Sequence, residues 1–328
     1  MKTSLLAAVC ALLALPAAAA VRYVPQTKTW VLETAHTSYA LGLNGEGQVQ
    51  HIYWGSRIGR DEDFGAARRL PDHSSFDPGE GEEYPGWGGM RYAEPCLKIT
   101  FDGGVRDLVL KYVSHETGDD ALTLRLKDIR QDLFVELQYR VFAANDIVRK
   151  SVRIVNRTGK PVMVDSAQSG LWRLPADEGY RLSYLAGRWA AETQLIREAI
   201  HPGRKVLESR RGNTSHQLNP WFAIDYKGQA DETHGRVWFG ALGWSGNWKM
   251  TIEQSSDRQV TVVGGYNDFD SATCSSPANR STRRRSMADT RVRASARLRA
   301  SCTASCAGSF CPTARIRTRA PCFTTRGK

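Results

Sequence analysis

ALTLRLKDIRQDLFVELQYRVFAANDIVRKSVRIVNRTGKPVMV, residues 121–164, decides the fold class. Leu122, Leu124 and Leu126 alternate with polar neighbours, as do Val135, Leu137, Tyr139 and Val141. Val152 and Ile154 carry the pattern to a turn at Asn156-Arg157-Thr158-Gly159-Lys160, and Val162 and Val164 resume it. A period of two sends successive side chains to opposite faces, which marks half-buried strands. Upstream, Asp102-Gly103-Gly104 and Gly118-Asp119-Asp120 supply turn chemistry. Strands at this spacing, with no long helical period between them, predict an all-β antiparallel sandwich. The one stretch of helical composition runs from Trp189 to Ala199, with Pro202-Gly203 to stop it. No internal repeat is visible.

Both ends of the chain differ from this body. Lys2, the apolar run Leu5 to Leu15 and the small-residue Ala18-x-Ala20 site read as a secretory signal, residues 1–20. The run is too short to span a bilayer as a mature helix. A mature start near Val21 is therefore expected, with a periplasmic or secreted location and no membrane partner. Export is oxidising, yet residues 21–270 hold only Cys96, so an internal disulfide cannot staple the body.

From Ser271 to Lys328 there are 13 Lys and Arg against one acid, Asp289, and five of the seven Cys. All nine Trp precede this tail. The net charge of +11 therefore belongs to the tail, not to the body. Basicity of this kind raises a polyanion-binding reading through Arg283-Arg284-Arg285. On an exported chain no nucleic-acid partner is expected.

Two loop-like stretches are rich in aromatic and charged residues. The first, residues 55–89, contains Asp61, Asp63, Arg68, Arg69, Glu80-Gly81-Glu82-Glu83, Tyr84 and Trp87; the second, 209–221, reads SRRGNTSHQLNPW. Long polar loops on a β scaffold are where binding concentrates. No metal-ligand spacing is present, and no cofactor is expected.

The body resembles the N-terminal domain of glycoside hydrolase family thirty-six, the bacterial α-galactosidases. Six strings carry the resemblance in order: YWG (53–55), EYPGWG (83–88), RYAEP (91–95), YLAGRWAAE (184–192), ESRRGNTSHQLNPWFAI (208–224) and LGWSGNW (242–248). Met90 stands where the family often has an acid, so any role of that acid does not carry over. The resemblance implies a β-supersandwich (galactose-mutarotase-like) over 21–270, packed in the family against a (β/α)8 barrel. That barrel supplies an aspartate nucleophile and an aspartate acid for retaining hydrolysis of α-galactosides, chemistry that needs two carboxyls about 5 Å apart. Neither its KWD-type nor its SGGGR-type motif occurs in these 328 residues. The expected role is thus the non-catalytic part of a galactosidase, itself inactive, from a family that forms homo-oligomers. The alternative is a stand-alone carbohydrate-binding sandwich.

The tail, 271–328, is expected to be disordered and out of frame. In a frame displaced by one base, its residues permit FxYLLxPGESFDTP from Asp270-Ser271 onward, then YGGYT. The end, Ala320 to Lys328, permits PVLYNSWE. These match the family's continuation toward its barrel. The rival is a natural Arg/Ser/Ala-rich extension without a fold.

For individual residues two readings stand side by side. Asp61, Arg68, Arg69 and Trp87 would either hydrogen-bond or stack on a galactoside at a pocket rim, or belong to a solvated loop and to packing. Trp54, Trp221 and Trp248 divide in the same way. Arg210, Arg211, Asn213, His216 and Asn219 are candidates for an interdomain interface, where arginine can pair bidentately with a carboxylate. No nucleophile with its base and orienting acid is apparent, so no catalytic residue is assigned.

Overall fold

The computed structural model describes residues 20–67, 81–89, 91–231, 233–269 and 271–276, and the backbone of 285–295. Residues 1–19 of the expected signal segment, together with Arg68, Arg69 and Met90, lie outside the described residues.

The described chain is all-β. In order, its strands are β1 (Val21–Val24), β2 (Thr29–Glu33), β3 (Thr37–Leu43), β4 (Val49–Ser56), β5 (Leu97–Thr100), β6 (Leu110–Thr117), β7 (Ala121–Asp128), β8 (Leu133–Phe142), β9 (Ile147–Asn156) and β10 (Val162–Arg173). There follow β11 (Tyr180–Arg188), β12 (Ala191–Ala199), β13 (Gly203–Ser209), β14 (Leu218–Tyr226), β15 (Val237–Leu242), β16 (Trp248–Gln254), β17 (Val260–Tyr266), β18 (Thr273–Ser275) and β19 (Arg285–Ser295). They form a four-stranded sheet β1-β2-β3-β4, a sheet β13-β16-β17-β10-β18 with β5 also on β10, and a nine-stranded sheet β12-β11-β14-β15-β19-β9-β8-β7-β6. All named strand pairs are antiparallel.

The strands read from residues 121–164 are β7 to β10, and the alternation buries Leu122, Leu124, Leu126, Val135, Leu137, Tyr139 and Val141. One core cluster draws on all three sheets, with Trp30, Trp172 and Trp248 fully buried in it. Across the layers, Trp172 packs on Phe222 at 6.0 Å, and the Trp238 indole donates to the Trp54 carbonyl at 3.1 Å.

Two expectations fail. Residues 189–199 are not a helix: Ala191–Ala199 pairs with β11 from Arg181↔Ala199 to Arg188↔Ala191. The composition is helical, but pairing with the edge of β11 satisfies main-chain groups along a whole strand, and tertiary pairing overrides a weak propensity. Nor is residue 271 the end of regular structure. Thr273–Ser275 pairs with Val162–Val164, and β19 pairs β15 on one side and β9 on the other. Without β19 those two strands would each present an open edge, and main-chain hydrogen bonding favours filling it.

The core also contains a charge that alternation alone conceals. Lys150 lies on the inward row of β9 between Val148 and Val152 and is buried. Its Nζ donates to Glu83 Oε1 at 2.7 Å, to the Tyr39 hydroxyl at 2.6 Å and to the Leu171 carbonyl at 2.7 Å. The Tyr39 and Tyr139 hydroxyls donate to Glu83 at 2.7 and 3.0 Å. Tyr39 spends its only proton on Glu83, so the His51 Nδ1–H, 3.1 Å away, is the donor to the Tyr39 oxygen. Burial pulls the Lys150 ammonium below its usual range, while the Glu83 carboxylate works the other way. Burial, then the Lys150 and Arg173 charges, hold His51 well below the usual imidazole range.

Removing one partner of a buried pair leaves the other charge uncompensated, at a cost of about 3–5 kcal/mol. Lys150→Met should therefore lower unfolding free energy by about that much in denaturant titration, and adding Glu83→Gln should recover part of it. A Lys150→Met chain of unchanged stability would contradict the account. His51 stays neutral in the fold but takes up a proton when unfolded below about pH 6.5. Its contribution is thus complete above that pH and lost as pH falls through it. Denaturation midpoints should fall from pH 7.5 to 5, and less steeply in His51→Asn; an identical slope in the two chains would count against it.

Candidate functional site

The polar segment 209–217 forms a ledge on the six-stranded sheet where β13 ends. Ser209 Oγ donates to the Asn213 carbonyl at 2.5 Å, closing a tight loop. The Gly212 amide donates to Asn247 Oδ1 at 2.6 Å and the Thr214 amide to the Ser245 carbonyl at 3.0 Å, which joins the loop to residues 242–248. Buried Asn267 is the hub: its Nδ2 donates to Glu208 Oε2, the Ser209 carbonyl and the Trp248 carbonyl at 3.0, 3.1 and 3.2 Å. Arg210 pairs with Glu208 at 2.6 Å and lies over the Phe269 ring at 3.6 Å. An open cavity of about 240 Å³ is lined by Glu208, Ser209, Arg210, Arg211, Ser215 and Gln217.

Beside the ledge is an ion-pair network that the sequence did not single out. Lys249 contacts Asp268 at 2.6 Å and Glu94 at 3.4 Å; Arg204 contacts Glu253 at 2.9 Å and Glu94 at 3.5 Å. The Glu94 amide donates to Glu253, so residues 91–95 are pinned to β16. Burial opposes the Asp268 charge, but the Lys249 ammonium outweighs it and holds the carboxyl below its usual range. A group held ionised in this way is unsuited to donating a proton to a leaving group. The signal was present in the sequence as the acids of RYAEP and of Asn267-Asp268-Phe269, but their partners lie on other strands.

The candidates separate. Arg210, Arg211, Asn213 and His216 are exposed on the ledge and Asn219 is half-buried at the start of β14. Asp61 is elsewhere, bound to Arg22 at 2.6 Å in a network with Glu33 and Arg57 on the four-stranded sheet. Trp87 is half-exposed, its main chain fixed between Leu97 and Leu108. Gly88 next to it has φ of 154°, and a Cβ there would meet the Leu108 backbone, so glycine is required. Trp54 and Trp248 are core residues and Trp221 is half-buried. Exposed aromatics remain at Tyr92, Trp189 and Phe269. Among the described residues no three His, Cys, Asp or Glu side chains are grouped to hold a metal. The Lys150–Glu83 centre is no binding site, because the space beside it is about 10 Å³, the threshold for a single water.

The ledge should depend on its hub. Asn267→Ala leaves the buried Ser209 and Trp248 carbonyls short of a donor and should cost about 1–3 kcal/mol. Amide exchange should accelerate first in 209–217 and not in β7 or β8; uniform acceleration would contradict the assignment.

The glycosyl hydrolase family 36 N-terminal domain matches residues 47–274. Alpha-galactosidase AgaA of Geobacillus stearothermophilus is 30% identical over 282 residues, which cover 76% of this chain and 38% of that protein. The crystal structure of the α-galactosidase AgaB of the same organism superposes with a TM-score of 0.75 at 26% identity, covering 85% of this chain and 41% of its own. A variant of AgaA in complex with raffinose gives a TM-score of 0.72 at 25% identity, covering 82% and 41%. The chain thus spans about two fifths of the length of the relatives it matches.

Proposed function

The chain belongs to the glycosyl hydrolase family 36 N-terminal domains, and we propose that it is the non-catalytic β-supersandwich of an exported α-galactosidase acting on raffinose-type galactosides. The observation that carries this reading is the convergence of the family's strings on one face. Three of the six strings meet there: RYAEP is pinned to β16, ESRRGNTSHQ to residues 245–247 of LGWSGNW, the latter two share Asn267, and Lys249 links Glu94 of RYAEP to Asp268. A face so cross-linked, and bordered by exposed Tyr92 and Phe269, suits docking of a large rigid partner domain. Arg210, Arg211, Asn213, His216 and Asn219 would lie at that contact. The relatives' names supply the reaction, and the complex of AgaA with raffinose supplies the substrate class.

These 328 residues are proposed to hydrolyse nothing on their own. The carboxyls Glu94, Glu253 and Asp268 are all engaged in ion pairs with Lys249 and Arg204. The displaced frame beyond Asp270 is proposed as the source of the continuation to the barrel, and residues 1–20 as the export signal. The cavity beside Arg211 favours a second reading, a binding module for a small sugar.

Purified 328-residue chain should release no galactose from a nitrophenyl α-galactoside, whereas a gene restored to the displaced frame should encode an active hydrolase. Galactose release by the 328 residues, or an inactive restored product, would sink the proposal. Titration of the chain with raffinose should be silent; saturable binding lost in Arg211→Ala would favour the module instead.

A further inference from the structure

The polar side chains that line the ledge cavity divide by whether they are already engaged. Arg210 is: its guanidinium pairs with Glu208 at 2.6 Å and covers the Phe269 ring. Glu208 is engaged at both oxygens, one on Arg210 and the other accepting from Asn267 Nδ2 at 3.0 Å. The Ser209 hydroxyl donates its proton to the Asn213 carbonyl. Arg211, next in the chain and exposed, has no hydrogen bond or ion pair among the described residues. Ser215 Oγ accepts from the Gln217 backbone amide at 3.2 Å, and its own proton has no acceptor among those residues. The Gln217 carboxamide is free in the same sense.

What the wall still offers is a guanidinium fork, a hydroxyl proton and a side-chain amide. Its side chains carry two positive charges, on Arg210 and Arg211, against one negative, on Glu208. A neutral sugar presents hydroxyls that must both donate and accept, and such a wall serves it poorly. A carboxylate only accepts, carries one negative charge and meets the arginine fork with both oxygens. The donors are also fixed in place. The Gly212 and Thr214 amides hold one side of the loop to Asn247 and Ser245. On the other side the Gly187 amide of β11 donates to the Gln217 carbonyl at 3.0 Å. A Cβ at Gly187 would stand 2.6 Å from the Ala191 carbonyl oxygen and 3.0 Å from that of His216, so this approach requires glycine. A site ordered beforehand loses less entropy on binding.

We infer that the ledge cavity is a carboxylate site. Arg211 receives the side-chain carboxylate of an aspartate or glutamate on the domain that docks at this face, with Ser215 and Gln217 as further donors. This rests on the reading of the ledge as a docking face. Arg210 takes no part in it beyond holding Glu208 away from the incoming charge. An exposed pair of this kind is weak in water, and exclusion of water on docking strengthens it.

The test titrates the intact 328-residue chain at constant ionic strength and follows the Gln217 side-chain amide by NMR. The probes are N-acetylglutamate amide, its neutral counterpart N-acetylglutamine amide, galacturonate and galactose. The glutamate probe should shift the signal saturably and bind about tenfold tighter than the glutamine probe. Galacturonate should bind within about threefold of the glutamate probe, because the carboxylate alone is recognised, and galactose should cause no shift. Arg211→Ala should abolish the response, whereas His216→Ala, exposed on the same ledge but outside the cavity lining, should leave it within about twofold. Equal affinity for the charged and neutral probes, or a response that survives Arg211→Ala, would overturn the inference. Galacturonate binding tighter than that threefold margin would assign the cavity to an acidic sugar and overturn the docked source. In a product restored to the displaced frame the docked carboxylate should already occupy Arg211, so calorimetry should detect no binding of the glutamate probe. A restored product that cleaves galactosides and still takes the probe refutes this inference alone. An inactive restored product refutes the functional reading and the docked source with it, and the titration of the 328 residues still decides whether the cavity takes a carboxylate.

Discussion

Lys150 and Glu83 form the contact on which the three sheets agree. The ammonium comes from β9 in the nine-stranded sheet and the carboxylate from the segment between β4 and β5. The phenol that bridges them belongs to β3, and the carbonyl that completes the ammonium's shell belongs to β10. A slip of any one strand would leave an ion in a low-dielectric interior without its counter-ion. The interaction therefore contributes less to net stability than to the exclusion of wrong registers, since well-packed apolar residues can be as stable as a buried pair. The rings of Tyr39 and Trp172, 4.4 and 5.4 Å from the ammonium, add a favourable field without a second charge.

The candidate docking face inherits its rigidity from this centre. Glu83 opens the EYPGWG string, whose Trp87 and Gly88 are clamped against Leu97 and Leu108. The chain continues to Glu94, which Lys249 and Arg204 tie to β16 and β13. From the other side, β10 accepts Lys150 at Leu171 and pairs with β17, which leads to Asn267 and Asp268. Core and ledge are thus separated by single strands. A surface built this way presents a fixed array of donors and acceptors, which is what a permanent interdomain contact needs.

Much of the architecture was legible in the sequence, because strand alternation and burial obey the same period. Leu122 to Val141 were placed on the correct face without any knowledge of pairing. What escaped was non-local. Lys150 occupies an inward position, and that breach of the pattern was the available sign of a buried ion. Glu83 was grouped with the charged loop Glu80–Glu83, although it belongs to the core. Asp61, a candidate either for a sugar-binding rim or for a solvated charged loop, is held by Arg22 in an ion-pair network on the four-stranded sheet. Ala191–Ala199 has the composition of a helix, and only the free edge of β11 explains why it is extended. Asn267, which organises the ledge, carries no local pattern at all. Its role arises from three acceptors supplied by residues 208, 209 and 248.

The body is proposed as a domain shaped for a catalytic partner whose coding continues in a second frame beyond Asp270. The most direct test is the nucleotide sequence from the codons of Phe269 to Ser271 through those of Lys328. The account predicts codons that, displaced by one base, read without interruption through a PGES-like segment to PVLYNSWE. Codons for Ala320–Lys328 that cannot be read as PVLYNSWE in that frame would contradict it, and the basic tail would then stand as part of the protein itself.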